Sequence, residues 1–77
     1  MMIFPNPNDG AFKVAVAGCD DLTVEVYDVS GALVASRTIS DASGFVDIDL
    51  RGELNKGSYI VRVRSANYST ASKMLVK

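Results

Sequence analysis

Acidic side chains are the first residues of this sequence to which a chemical role could be assigned. Asp47 and Asp49 lie two positions apart in the run FVDIDL, so an extended strand would place both carboxylates on one face. Together with Asp41 they could bind Ca²⁺, an ion that prefers oxygen ligands. Their spacing is neither that of an EF-hand nor that of a repeat-type calcium site, which favours a solvated outer strand face. The acidic pair Asp20 and Asp21 is interpreted as part of a turn.

The chain contains no histidine and one cysteine, Cys19, so the residues needed for most enzymatic mechanisms are missing. Ser–His and Cys–His catalysis both need a histidine, and zinc sites need several histidine or cysteine ligands. The sequence therefore predicts a protein that is not an enzyme and that binds no cofactor or metal. Cys19 is interpreted as a small apolar residue near a strand end, with a disulfide-linked dimer as the alternative.

Charge and hydropathy exclude two further classes of partner. Eight basic and nine acidic residues are spread along the chain, and Lys56, Arg62 and Arg64 form only a small basic stripe. Nucleic-acid binding needs a clustered basic face, and no apolar run reaches the roughly 20 residues that span a bilayer. We therefore expect neither nucleic-acid binding nor direct membrane insertion. The start MMIFPNP lacks the features of a signal peptide, so any export signal is expected upstream in a longer parent chain.

The elements that position these residues are β-strands, because apolar and polar residues alternate with a period of two. The strand-like runs, separated by turns rich in Gly, Asn and Asp, are AFKVAV, LTVEVYD, ALVASRTI, FVDIDL, YIVRVR and TASKMLVK. With a further strand at Ile3–Phe4, about seven strands are predicted. This pattern predicts one all-β domain over residues 1–77, a small immunoglobulin-like antiparallel β-sandwich.

The opening FPNPNDG is interpreted as a rigid corner. Proline fixes φ and cannot donate a hydrogen bond to a ladder, so Pro5 and Pro7 are compatible with a strand edge or a bend. Residues 1–4 are therefore predicted to be a linker or short edge strand, and the corner closes at Gly10 into the next strand. Such an arrangement suits a module that is joined to something upstream.

The three tyrosines leave a carbohydrate-binding interpretation open, because aromatic faces can stack on sugar rings. Tyr59 lies in register with Val61 and Val63, which predicts a core position. Tyr27 and Tyr68 remain available for either role.

Several motifs stand in a particular order: FPNPNDG, VYDVSG, VDIDL, LNKGSYIVRV and finally SKMLVK. This order resembles the type A C-terminal sorting domain of the type IX (Por) secretion system of Bacteroidetes, from about Ile3 to Lys77. The matching positions are Pro5, Asn6, Pro7, Gly10, Asp28, Gly31, Leu54, Gly57, Tyr59, Lys73, Leu75, Val76 and Lys77. Ala32 departs from the basic residue that the family often carries there, and Cys19 is not a family feature.

The resemblance implies a transport label that is carried by a cargo protein. Cargo would cross the inner membrane with its own signal, and the secretion machinery would recognise the folded domain in the periplasm. After passage across the outer membrane, a cell-surface sortase would remove the domain, with the cut upstream of the sandwich near residues 1–4. The cargo would then stay at the cell surface or be released. The alternative is a fibronectin- or immunoglobulin-like accessory module, acting as a spacer or carbohydrate binder beside a secreted enzyme.

The final strand is the predicted recognition element. An unpaired strand edge is a template for strand addition, so residues 72–77, with the neighbouring GSY turn, are expected to meet the partner. Lys73 and Lys77 would favour an acidic partner, although simple protection of the edge explains them as well. Exposed edges also leave room for a weak homodimer.

Overall fold

The computed structural model describes residues 2–66 and 69–77, without the side chains of residues 2, 16–20 and 41. Antiparallel strands account for most of these residues, which confirms the predicted all-β class. The strands are β1 (Met2–Phe4), β2 (Ala11–Tyr27), β3 (Leu33–Asp49), β4 (Gly57–Arg64) and β5 (Ser69–Val76). The described residues include no helix with the length and apolar composition needed to cross a bilayer.

The two longest strands, β2 and β3, are paired over most of their length but not in one register. Their pairing shifts between Val16 and Asp20 and again between Asp20 and Leu22, and irregularities of this kind bend a strand. Each long strand therefore provides two straight segments, so the five strands contain the predicted seven β-segments. The sequences AGCDD and SDASG, which separate the strand-like runs and fall where turns were predicted between them, lie inside β2 and β3 because small and polar residues also fit a bulge.

The seven segments form the two layers of an immunoglobulin-like sandwich. In the first layer the order is β1, β2 residues 11–16 and β3 residues 44–49, so that β2 lies between the other two. In the second layer the order is β3 residues 33–39, β2 residues 22–27, β4 and β5. All of these strand pairs are antiparallel, and β5 lies at one edge of the second layer.

Apolar side chains from both layers pack into one core. In the first layer Phe12 pairs with Ile48 and Val14 with Val46, and all four are buried. The other apolar members of the core are Ile3, Leu22, Val24, Val26, Ala35, Ala42, Leu50, Tyr59, Val61, Val63, Met74 and Val76. Burial of this alternating set confirms the period-two prediction and the core position of Tyr59.

Candidate functional site

One edge of β5 is fully engaged by its neighbour β4. The ladder runs from Gly57 opposite Val76 to Arg64 opposite Ser69. In such a ladder the backbone groups of alternate residues face opposite edges, so every second residue of β5 points its N–H and C=O away from β4. The state of this outer edge decides whether a partner strand can be added to β5.

The opening corner covers half of that outer edge. The Asn6 side-chain amide donates to the carbonyl oxygen of Lys73, and Asn6 Oδ1 accepts from the N–H of Leu75, both at 3.0 Å. The Asn8 N–H donates to the carbonyl oxygen of Leu75 at 3.0 Å, and the Lys77 N–H donates to the Asn8 carbonyl oxygen at 2.8 Å. The expectation of a free edge along residues 72–77 is therefore wrong for most of that segment, because the corner folds back beside it.

The remaining part of the outer edge is open within the described residues. Ala71 belongs to the same alternate set as Lys73 and Leu75, so its N–H and C=O face away from β4. No residue of 2–66 or 69–77 forms a backbone pair with Ala71 on that side. The open edge, defined as Ala71 together with the Lys73 N–H, is thus shorter than predicted and lies beside Asn6.

Asn8 holds the corner in shape. Its side-chain oxygen accepts from the Gly10 N–H at 2.8 Å, and its side-chain nitrogen donates to the Pro5 carbonyl oxygen at 3.0 Å. Asn8 is buried, and both ends of its side-chain amide are satisfied. This residue was not among the site residues predicted from the sequence. An asparagine two positions before a glycine is a known turn signal, because its side chain can bond to the backbone two residues on.

Gly10 lies where the corner passes close to the turn after β3. Its φ is +105°, and an added Cβ would meet the Arg51 Cα at 3.2 Å and the Leu50 carbonyl carbon at 3.3 Å. The Gly10 carbonyl oxygen also accepts from the Leu50 N–H at 2.9 Å. Both the backbone conformation and the close approach therefore require glycine here. Pro5 and Pro7, whose peptide bonds are both cis, complete the corner.

Asp28 and Gly31 form the hairpin between β2 and β3. Asp28 Oδ1 accepts from the Ser30 N–H, the Ser30 hydroxyl group and the Ala32 N–H at 2.9, 2.6 and 3.0 Å. The hydroxyl bond from Ser30, followed by the backbone bond from Ala32, lowers the pKa of Asp28 below its ordinary value. Gly31 has φ of +90°, which the end of this turn requires. These residues shape the hairpin and leave it exposed.

The matched residues Leu54, Gly57 and Tyr59 anchor the entry to β4. Leu54 is half-buried and packs against the core. Gly57 begins β4, and the buried Tyr59 donates its hydroxyl to the carbonyl oxygen of Asn55 at 2.7 Å. These residues fix the connection that precedes β4, which is a structural role.

The matched residues of β5 divide between the core and the surface. Val76 is buried, whereas Lys73, Leu75 and Lys77 are exposed. Lys73 also lines a groove of about 540 Å³ on the outer face of the second layer, with Tyr27, Ile60 and the hairpin residues Asp28, Val29 and Gly31. This tyrosine groove, named for Tyr27, is a surface feature that the sequence analysis did not predict.

The predicted calcium ligands are engaged in ion pairs. Asp47 Oδ1 lies 3.1 Å from Lys13 Nζ, and Asp49 Oδ2 lies 2.9 Å from an Arg51 guanidinium nitrogen. The side-chain hydrogen bond from Arg51 is the main cause that lowers the pKa of Asp49 from 3.8 to about 2. Among the described side chains, no cluster of three acidic, histidine or cysteine residues could hold a metal ion.

The predictions for Asp41, Asp20, Cys19 and Tyr68 fall on side chains outside the described set.

Comparison with known proteins decides what this sandwich is. A family model described as the secretion system C-terminal sorting domain matches residues 2–77. The chain belongs to this family. The sorting domain is also similar to an endo-acting ulvan lyase of Formosa agariphila, with 24% identity over 74 residues. That match covers 96% of the sorting domain but 14% of the lyase, so the chain spans a small part of the length of this relative.

Membership in the family confirms the resemblance drawn from the motifs. The sorting domain is a signal of type IX secretion, which directs export to the cell surface or the outside. It implies contact with the secretion machinery and attachment to an upstream cargo domain, and a sorting domain is not itself catalytic. The family match therefore favours a sorting signal over the accessory module that the sequence left as the alternative.

Proposed function

We propose that this sorting domain is a folded label that passes through the periplasm, is held at the β5 edge by the secretion machinery, and is then removed by a sortase. The cut falls upstream of β1, in the segment that joins the domain to its cargo. The domain is thus a substrate of the sortase and has no catalytic activity of its own.

The observation that supports this proposal is the partly open edge of β5. Strand addition needs unpaired N–H and C=O groups in a row, and the open edge supplies these at Ala71 and at the N–H of Lys73. Asn6 closes the edge on one side, so an incoming strand has a defined end point. A short segment of partner backbone fits this opening, and its position beside Asn6 sets the register.

Charge around the open edge indicates an acidic partner. Lys73 and Lys77 are exposed, and neither forms an ion pair with any residue that the structure describes. Exposed cations discourage pairing between copies of the same edge, and they attract a partner of opposite charge. The two functions proposed for these lysines in the sequence analysis are therefore compatible.

A cargo fusion tests the proposal. A fluorescent protein with an N-terminal export signal is joined to residues 1–77 and produced in a bacterium that has the type IX system. Cell fractionation and mass measurement of the surface cargo then give its location and the position of the cut. With the intact fusion, we expect the cargo to reach the cell surface and the sandwich to have been cut off. When residues 2–77 are deleted, we expect the cargo to remain in the periplasm. Export that is unaffected by this deletion would contradict the proposed function.

The role of the edge is tested by Ala71→Pro. The Ala71 N–H faces away from β4, so proline there removes an outward donor without removing a ladder hydrogen bond. We expect export to fall, whereas Ala71→Val, which keeps the N–H group, serves as the matched control. Lys73→Ala combined with Lys77→Ala tests the charge, and circular dichroism checks that each variant is folded. Normal export of the folded Ala71→Pro variant would exclude strand addition at this edge.

A further inference from the structure

Three of the exposed large apolar side chains among the described residues lie on the outer face of the second layer. The strand register aligns Leu33, Tyr27, Ile60 and Lys73 in one row across its four strands. Leu33 is 52% exposed and Ile60 is 36% exposed, and Leu75 lies one row further along at 41%. Monomeric domains normally bury residues of this kind or scatter them singly, so an aligned row indicates a contact surface.

The hairpin after β2 turns this row into a concave site. The tyrosine groove, about 540 Å³, lies between the row and hairpin residues 28–31, and Val29 projects from the hairpin with 84% of its surface exposed. A groove of this size lies in the range of pockets that enclose a small-molecule ligand, so it has room for several side chains of a partner. Tyrosine is enriched among the residues that dominate binding energies, particularly where they are surrounded by a polar rim.

The strands of this face carry several basic side chains, although the tyrosine groove itself is lined by one basic residue, Lys73, and one acidic residue, Asp28, whose carboxylate accepts hydrogen bonds within its own turn. Four basic residues form ion pairs, namely Lys13, Arg37, Arg51 and Arg64. Within the described part of the chain the other four form none, and these are Lys56, Arg62, Lys73 and Lys77, in β4, β5 and their immediate flanks. The net charge of the chain is −1, so this cationic surface arises from the folding pattern and not from composition. An acidic partner surface complements it.

We propose that this outer face is a second docking surface of the sorting domain, at which a folded partner protein inserts an apolar side chain from within an acidic rim. The inference rests on the proposed function, since it names a further surface by which the secretion machinery holds the label. Tyr27 and Ile60 form the apolar floor, Val29 forms the wall, and Lys73 faces the acidic rim. A protein partner is favoured over an anionic lipid surface because the groove is concave, and a folded protein can fill it with projecting apolar side chains.

The double variant Tyr27→Thr with Ile60→Thr tests this surface in the cargo fusion. Threonine keeps the β-propensity of both positions while it removes the apolar floor. We expect surface cargo to fall on the order of tenfold, because truncation of central interface residues has effects of this size or more. The matched control is Phe45→Thr, which truncates an aromatic side chain that is 67% exposed on the first layer. We expect export of that control at the level of the unmodified domain.

The outcomes separate the two proposals. Normal export of the folded double variant, together with loss of export when residues 2–77 are deleted, would overturn the groove and leave the proposed function intact. Equal losses in the double variant and in Phe45→Thr would also overturn it, because the effect would then not be specific to this face. Flotation of the purified domain with vesicles of phosphatidylcholine and phosphatidylglycerol forms the last arm. If the unmodified domain floats with the vesicles and the double variant does not, the groove binds a lipid surface and the proposed protein partner is excluded.

Discussion

The side-chain amide of Asn6 donates a hydrogen bond of 3.0 Å to the carbonyl oxygen of Lys73, 67 positions further along the chain. The oxygen of the same amide accepts from the backbone of the next outward-facing residue, so one side chain takes the place of a neighbouring peptide group. This contact ties the first corner of the sandwich to its last strand. It also determines how much of the strand edge remains for a partner.

The first prediction concerns Asn6→Ala, which removes both hydrogen bonds to β5. Because the site is exposed and water can replace the lost partners, we expect the free energy of unfolding to fall by only about 1–2 kcal/mol. Urea unfolding followed by circular dichroism measures this change. Asn55→Ala is the matched control, since Asn55 is exposed and its contact with Tyr59 is made by the backbone. A change in the control as large as in Asn6→Ala would contradict the assigned role.

Asn8→Ala is expected to be more damaging than Asn6→Ala. In the unmodified domain the Gly10 N–H donates a buried hydrogen bond of 2.8 Å to Asn8 Oδ1. Alanine at position 8 leaves this N–H without a partner. An unsatisfied buried donor costs about 1–3 kcal/mol, and the bond to the Pro5 carbonyl oxygen is lost as well. The same urea titration gives the value. Asn8→Ser keeps an oxygen that can accept from the Gly10 N–H, though more weakly, and should recover part of the stability, so a serine variant no better than alanine would contradict this explanation.

The strands and the core could be predicted from the sequence because both depend on local alternation. Apolar residues at every second position of YIVRVR place Tyr59, Val61 and Val63 on one face, and the structure buries all three. The two bulged strands were less predictable. The segments around Asp20 and Gly44 contain the same small and polar residues that make a turn, and pairing with a distant segment decides between turn and bulge.

The surfaces could not be predicted, because they depend on contacts between remote parts of the chain. The family motif identifies Asn6 and Lys73 separately, but only the fold brings the corner beside β5 and closes part of its edge. The tyrosine groove has the same origin. Tyr27, Ile60 and Lys73 come from three strands, and their alignment follows from strand register, which periodicity alone does not fix.

A pair of glycine variants separates backbone strain from close packing. Gly10 and Gly52 have similar positive φ values, +105° and +84°, but an added Cβ meets backbone atoms only at Gly10. Gly52→Ala should therefore cost only the strain of a left-handed alanine, about 1 kcal/mol. Gly10→Ala adds the contact of 3.2 Å with the Arg51 Cα, so we expect a clearly larger loss. Equal losses of unfolding free energy in urea would exclude the steric explanation.

The last prediction concerns stability in acid and the pair formed by Asp49 and Arg51. The hydrogen bond from Arg51 lowers the pKa of Asp49 from 3.8 to about 2, so between these values the folded state binds fewer protons than the unfolded state. The stabilisation is therefore complete above about pH 4 and is lost as the pH falls towards 2. Asp28, whose pKa is lowered by its turn, contributes in the same direction.

Asp49→Asn removes this dependence at one site. The thermal midpoint of the variant should lie below that of the unmodified domain at neutral pH, and the two midpoints should converge as the pH approaches 2. Arg51→Met offers an independent route, because it removes the main cause of the lowered pKa and leaves the carboxylate in place. Calorimetric scans at several pH values measure the three proteins together. A constant gap between the unmodified domain and Asp49→Asn from neutral pH to pH 2 would mean that the ion pair does not contribute through ionisation.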